Sequence, residues 1–237
     1  MSNRNQNSAA RRGPAGATAS ITLASGSPRR RDLVGLLGLP HSIEVPDVPE
    51  VQLPGEQPAD LALRLSLEKA LAVALWRPHD VVLAADTIVV LDGVILGKPE
   101  DAAEAVGMLR RLRNRVHLVY TGLAIVREDS GVRCQQLACT PVRMANYSEE
   151  ALAAYVATGD PLDKAGAYAI QAETFAPVAG LEGCYTNVVG LPLCHLYRGL
   201  RALGLLVPAH PLEVCPQAVG AGCPWAADIL SARPEGI

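Results

Sequence analysis

The stretch that most limits how this chain can fold is Val81-Val82-Leu83-Ala84-Ala85-Asp86-Thr87-Ile88-Val89-Val90-Leu91. Its Val, Ile and Leu content predicts a strand buried on both faces. A carboxylate inside such a strand costs on the order of several kcal/mol unless it is paired, hydrogen-bonded or metal-bound. Two readings of Asp86 follow. It is either a structural ion pair or strand-end carboxylate in water, or a group with metal-binding or general-base work to do. Asp86 also keeps the run far short of the roughly 20 apolar residues that cross a bilayer, so no membrane partner is expected.

Around this strand the pattern alternates strand and helix. Ile21 to Ala24 is a short apolar run, followed by Ser25-Gly26-Ser27-Pro28 and an apolar spacing from Arg29 to Leu37. This reads as strand, turn and helix, with Ser27 placed to cap, Pro28 at the first helical position and Gly38 at the exit. Asp60 to Leu75 is an amphipathic helix carrying Lys69. Pro99 to Leu112 reads as a helix with acids in its first turn, Val116 to Val126 and Val132 to Ala145 as strands, Ser148 to Thr158 and Leu193 to Leu203 as helices. The class is mixed α/β.

With 237 residues, of which 49% are hydrophobic and 19% charged, the chain can bury a full core as one domain or two closely joined lobes. A net charge of -3 gives no overall attraction to a nucleic-acid polymer, so any anion must be captured locally. The six cysteines contain no CxxC pair and read as reduced thiols of a cytoplasmic protein. Cys215 and Cys223 have no partners at metal spacing and are assigned no chemistry. Residues 1–20 read as a disordered tail rather than a transit peptide, lacking an apolar face, and residues 208–237, rich in Pro, Ala and Gly, read as loop-like.

Local anion capture has an obvious candidate. Ser25, Ser27, Arg29 and Arg30 surround one helix start, where free N–H groups, hydroxyls and guanidinium groups suit a phosphate. An ordinary capped helix with solvent-facing arginines is the alternative. The chain carries three lysines, Lys69, Lys98 and Lys164, against eighteen arginines. A compact ammonium acts as a point charge on phosphate in a way that Arg does not reproduce. Each lysine also has a plainer reading: a helix surface charge, a turn residue, and a partner of Asp163. Gly93 to Lys98 does not meet the P-loop spacing, and Pro99 stands where the metal-binding hydroxyl belongs. His117, in an alternating apolar strand, reads as a structural histidine.

These residues resemble the Maf nucleotide pyrophosphatases. The resemblance is carried by Leu23-Ala24-Ser25-Gly26-Ser27-Pro28-Arg29-Arg30, Glu68-Lys69-Ala70, Ala85-Asp86-Thr87 and Gly97-Lys98-Pro99. It continues through His117, Thr121-Gly122, Tyr155-Val156, the run Asp163 to Gln171, and Asn187 to Leu193, all in family order. It implies a Maf-like domain over residues 21–207, with an elongated mixed sheet, flanking helices and two lobes around a cleft. It further implies hydrolysis of the α–β phosphoanhydride bond of a nucleoside triphosphate with Mg²⁺ or Mn²⁺. Asp86 matches the catalytic carboxylate and a metal ligand, with Glu50 as the second ligand. Ser25, Ser27, Arg29, Arg30, Lys69, Lys98 and Lys164 would hold the triphosphate. Arg29, Thr87 and Gln171 look like the members that prefer dTTP and UTP, and a homodimer is implied. Pro49, Asn114 and Ala172 depart from the family pattern, the first beside the second metal ligand. A cell-division regulator that binds nucleotide and hydrolyses it secondarily is the alternative role carried by the same resemblance.

Overall fold

The computed structural model describes residues 20–219 and 222–233, so the expected N-terminal tail lies outside the described residues except for Ser20. The first strand, β1 (Ile21–Ala24), runs into α1 (Pro28–Leu36), β2 (His41–Glu44) and the long α2 (Pro58–Ala74). The strand that contains Asp86, β3 (Val81–Leu91), forms a hairpin with β4 (Val94–Leu96). Asp92 and Gly93 join the two with φ of 51° and 79°, the paired positive values that a two-residue type I′ turn requires. The glycine-lysine segment is thus a hairpin followed by an irregular stretch at Gly97 to Pro99, and not a phosphate loop.

Helix α3 covers Ala102–Leu112 and starts three residues later than the sequence pattern predicts. The reason is a reciprocal cap. Asp101 accepts from the Glu104 amide at 2.8 Å, and the Glu104 carboxylate accepts from the Glu100 amide at 2.7 Å. Two long strands follow, β5 (Val116–Arg127) and β6 (Val132–Met144), then α4 (Glu149–Ala157), whose cap Ser148 accepts from the Ala151 amide. The last part of the sheet and its cover are β7 (Val178–Leu181), α5 (Tyr185–Val189) and α6 (Leu193–Ala202). The C-terminal stretch expected to be loop-like holds two short helices, α7 (Pro211–Val214) and α8 (Ala226–Ser231). Buried Cys215 and Ala218 join the core there, and Arg198 of α6 donates to the Ile229 carbonyl at 2.7 Å.

The sheet order is β2-β1-β3-β5-β6-β7, with β4 paired to β3. The β1 strand is parallel to both β2 and β3, and the remaining pairs are antiparallel. This is the mixed α/β class that the sequence pattern predicts.

Two cores share the long strands on one face. Val81, Leu83 and Ala85 of β3 pack with α1, α5 and α6, whereas Val89 and Leu91 pack with α3 and α4. The opposite face is covered mainly by α2, whose Ala70, Val73 and Ala74 meet Val82 and Ala84, and whose Leu61, Ala62 and Leu65 meet Ile88 and Val90. Gly122 of β5, the register partner of Asp86, permits this close approach, because a Cβ there would run into the Ala62 carbonyl.

Candidate active site

The register of β3 creates the site. Its pairing with β1 ends at Leu83 and its pairing with β4 begins at Val89. Residues 84–88 therefore have no strand neighbour on that edge, and Asp86 and Thr87 sit in the gap between the two cores. Alternation along the strand sends these two side chains to opposite faces. Asp86 meets α2 and Thr87 meets α1, and both line one cleft of about 410 Å³.

On the α2 side, Lys69 Nζ donates to Asp86 Oδ1 and to Glu50 Oε1, both at 2.5 Å. Lys69 and Asp86 are 7% and 6% exposed, while Glu50 lies on an exposed loop. Burial raises the Asp86 carboxyl above its ordinary value, and the charges of Lys69 and Arg30 offset this only in part. Burial also acts upward on Glu50, but the Lys69 bond and the charges of Lys69, Lys98 and Arg30 leave it below its ordinary value. The two carboxylates thus share one cation and have opposite tendencies.

On the α1 side, Arg30 is fixed by three neutral oxygens. Its Nε donates to the Gly190 carbonyl at 2.9 Å, Nη2 to Thr87 Oγ1 at 3.1 Å and Nη1 to Ser25 Oγ at 3.4 Å. Loss of water lowers its proton affinity, and the charges of Asp86 and Glu50 oppose this. The Thr121 hydroxyl donates to the Asn187 carbonyl at 3.1 Å, so Thr87 must donate to Thr121 Oγ1 at 2.9 Å. An ordered chain from Arg30 through Thr87 and Thr121 to α5 results. Thr121 and Asn187 belong to the matched motifs, but only the fold gives them this positioning work.

The start of α1 completes this wall. Ser27 occupies the cap position, yet its side chain makes no capping bond, contrary to the sequence expectation. The Ser25 hydroxyl instead accepts from the Ser27 amide at 3.2 Å, so the chain folds back before the helix. Pro28 has no N–H to satisfy, and Ser27 lines the same cleft as Ser25, Arg29 and Arg30.

The remaining predicted residues lie along the cleft, with different degrees of freedom. Lys98 is exposed after β4 and lines the cleft, and the exposed Gln171 lines it as well. Lys164 is 6% exposed and gives its donors to the Asp160 carbonyl at 2.5 Å, Asp160 Oδ1 at 2.8 Å and Asp163 Oδ1 at 2.6 Å. An ammonium has three N–H groups, so the structure commits all of them to neighbours. Arg29 lies 3.7 Å from Asp163. His117 donates or accepts through Nε2 with the Tyr168 hydroxyl at 2.8 Å, and burial lowers its pKa to about 4, which fits the structural role expected of it.

A divalent cation fits this donor set only in company with a substrate. Asp86 and Glu50 converge on the Lys69 ammonium, so two carboxylates already surround one positive point. Among the described residues no group of three or more His, Cys, Asp or Glu side chains could hold a metal ion. Two carboxylates completed by phosphate oxygens and water is an arrangement that suits Mg²⁺ better than a closed protein cage. No helix among the described residues is long and apolar enough to cross a membrane.

Known proteins carry similar sequences. Residues 20–203, from the start of β1 to the end of α6, match the family model described as Maf-like protein. A dTTP/UTP pyrophosphatase of Geobacter metallireducens is 46% identical over 187 residues, which are 78% of this chain and 97% of that protein. A dTTP/UTP pyrophosphatase of Symbiobacterium thermophilum is 48% identical over 184 residues, covering 78% of this chain and 94% of that protein. Since the match takes in the whole sheet and each element that lines the cleft, the chain belongs to the Maf-like protein family.

Proposed function

We propose that this protein hydrolyses dTTP and UTP to the nucleoside monophosphate and pyrophosphate. The observation that carries the reading is Asp86, a buried carboxylate with raised proton affinity, bonded to Lys69 in a gap of the sheet and facing Arg30 and Lys98 across one cleft. The pyrophosphatase names of the relatives support hydrolysis over a purely regulatory role.

In the reaction a water molecule adds to phosphorus, the bridging P–O bond between the α- and β-phosphates breaks, and pyrophosphate leaves. Asp86 accepts the proton of the water, and its raised pKa makes it a better base than a solvated carboxylate. Lys69, with one N–H left after Glu50 and Asp86, Lys98, Arg30, Arg29 and the Ser25 and Ser27 hydroxyls hold the phosphate oxygens and offset the charge that develops on them. A divalent cation, Mg²⁺ or Mn²⁺, held by Asp86 and Glu50, supplies Lewis-acid neutralisation of the triphosphate when bound. Lys164 reaches a phosphate only by releasing Asp160 or Asp163. Gln171 reads the pyrimidine edge, whereas Thr87 acts by holding Arg30, since its hydroxyl is already engaged. Six free cysteines favour a reducing compartment, and we place the protein in the cytoplasm.

A panel of natural and methylated triphosphates incubated with Mg²⁺ or Mn²⁺ tests the proposal. Pyrophosphate release highest with dTTP and UTP is the expected result. Release of orthophosphate from the γ-position overturns the reaction, and a preference for purines or methylated bases overturns the specificity.

A further inference from the structure

Glu50 reaches Lys69 from the segment between β2 and α2, residues 45–57, which contains no helix or strand. Little apolar burial holds this segment. Val48 packs against the cluster of Leu61, Ala62 and Leu65, but Val45, Val51 and Leu53 are 67%, 65% and 51% exposed. A loop so placed would leave the Glu50 carboxylate free to wander, because ordering a residue costs about 1–2 kcal/mol of chain entropy.

One side chain supplies the missing restraint. Arg64, on α2, donates from Nε to Glu56 Oε1 at 2.7 Å and from Nη2 to Glu56 Oε2 at 2.8 Å, a paired fork on one carboxylate. Nη2 also donates to the carbonyl of Val51 at 2.9 Å, and Nη1 donates to Glu68 at 3.1 and 3.2 Å. Glu56 in turn accepts from the Leu53 amide at 3.0 Å, and its own carbonyl accepts from Gln52 at 2.8 Å. The guanidinium thus clamps the loop at residues 51 and 56, immediately after Glu50, onto the helix that carries Lys69. The Arg64 bonds and the Leu53 amide hold the Glu56 carboxyl at about 2, so the fork stays charged across the working pH range.

We propose that Arg64 is the positioning residue for Glu50: it fastens the 45–57 loop to α2 through Glu56 and the Val51 carbonyl, and so sets the Glu50 carboxylate against Lys69 and the bound triphosphate. The inference rests on the pyrophosphatase reading above. Isolated surface ion pairs contribute little, but a planar fork that joins a carboxylate and a carbonyl of one loop does what an ammonium cannot.

The test is a double-mutant cycle on the full chain, with Arg64→Lys, Glu50→Gln and the pair, assayed by pyrophosphate release from dTTP. Arg64→Lys is expected to lower kcat/KM about tenfold in the parent and less than about twofold in the Glu50→Gln background, because the clamp then has nothing to position. Amide hydrogen exchange across residues 45–57 should quicken in Arg64→Lys, with β3 and β5 unchanged. Glu56→Gln, which keeps Arg64 in place, should reproduce both effects. Equal losses in both backgrounds, or loop exchange unaltered, overturn the positioning role while the parent still turns over. A parent that releases no pyrophosphate overturns the underlying reading instead.

Discussion

Lys69 and Lys164 are almost equally buried, and each bonds two carboxylates at 2.5–2.8 Å, yet they do different work. The partners of Lys164 are local, Asp160 and Asp163 on the same turn, and both side chains are well exposed. Burial acts upward on their carboxyls, but the Lys164 bonds prevail and leave both below the ordinary range. The partners of Lys69 come from a distant loop and a central strand, and Asp86 is buried enough that its carboxyl ends above the ordinary range. One lysine closes a turn on itself, while the other gathers separate elements and leaves a carboxylate avid for a proton. Depth of the acid, rather than the ion pair as such, separates a structural clamp from a reactive one.

The comparison is broken most forcefully at Asp86. Asp86→Asn should lower kcat about 1000-fold, as expected for loss of a general base, in a pyrophosphate-release assay. Its stability should move the other way. A raised folded-state pKa contributes stability below the unfolded value and loses it as pH rises through the folded one, so the wild type carries the loss at neutral pH. The variant should therefore have the higher Tm at neutral pH, with the difference vanishing in acid below the ordinary 3.8. A Tm lowered at neutral pH would contradict this sign.

Lys69→Met should lower kcat/KM about 100-fold by removing charge from the phosphates. Because the Lys69 charge draws the Asp86 pKa down, its removal should also move the acid limb of the pH–rate profile to higher pH. The same profile for a Lys164 variant should keep its acid limb. Gly122→Ala sharpens the comparison differently, since the added Cβ runs into the Ala62 carbonyl and lifts α2 off the sheet. It should cost about 1–3 kcal/mol in chemical denaturation and about tenfold in rate, with the Lys164 turn intact by amide exchange. Lys164→Met should give the smallest effect, less than about tenfold in rate and about 1 kcal/mol in stability, its partners being largely in water.

Much of the site is legible in the sequence because it announces itself locally. A carboxylate in the apolar run Val81–Leu91, a serine-arginine turn before a helix and the scarcity of lysine all carry their own physical signal. The pairing of these residues does not. His41–Glu44 is too short and polar to read as a strand and exists because β1 offers it a parallel neighbour. Tyr185–Val189 is too short for helical periodicity, and Val178–Leu181 contains a glycine. The commitment of all Lys164 donors, the failure of Ser27 to cap and the reach of Arg64 across to Glu56 depend on chain directions that a linear pattern does not contain.

The length of two short strands sets the aperture of this molecule. The unflanked part of β3 spans five residues, from 84 to 88, which is roughly 16 Å of extended backbone. Each residue added to the end of β1 or to the start of the β4 pairing would draw the opening shut by about 3.3 Å without altering any reactive group. Where neighbouring chains stop thus governs admission as firmly as the side chains within, and trimming or extending a strand end is a way to resize the entrance while the chemistry is kept.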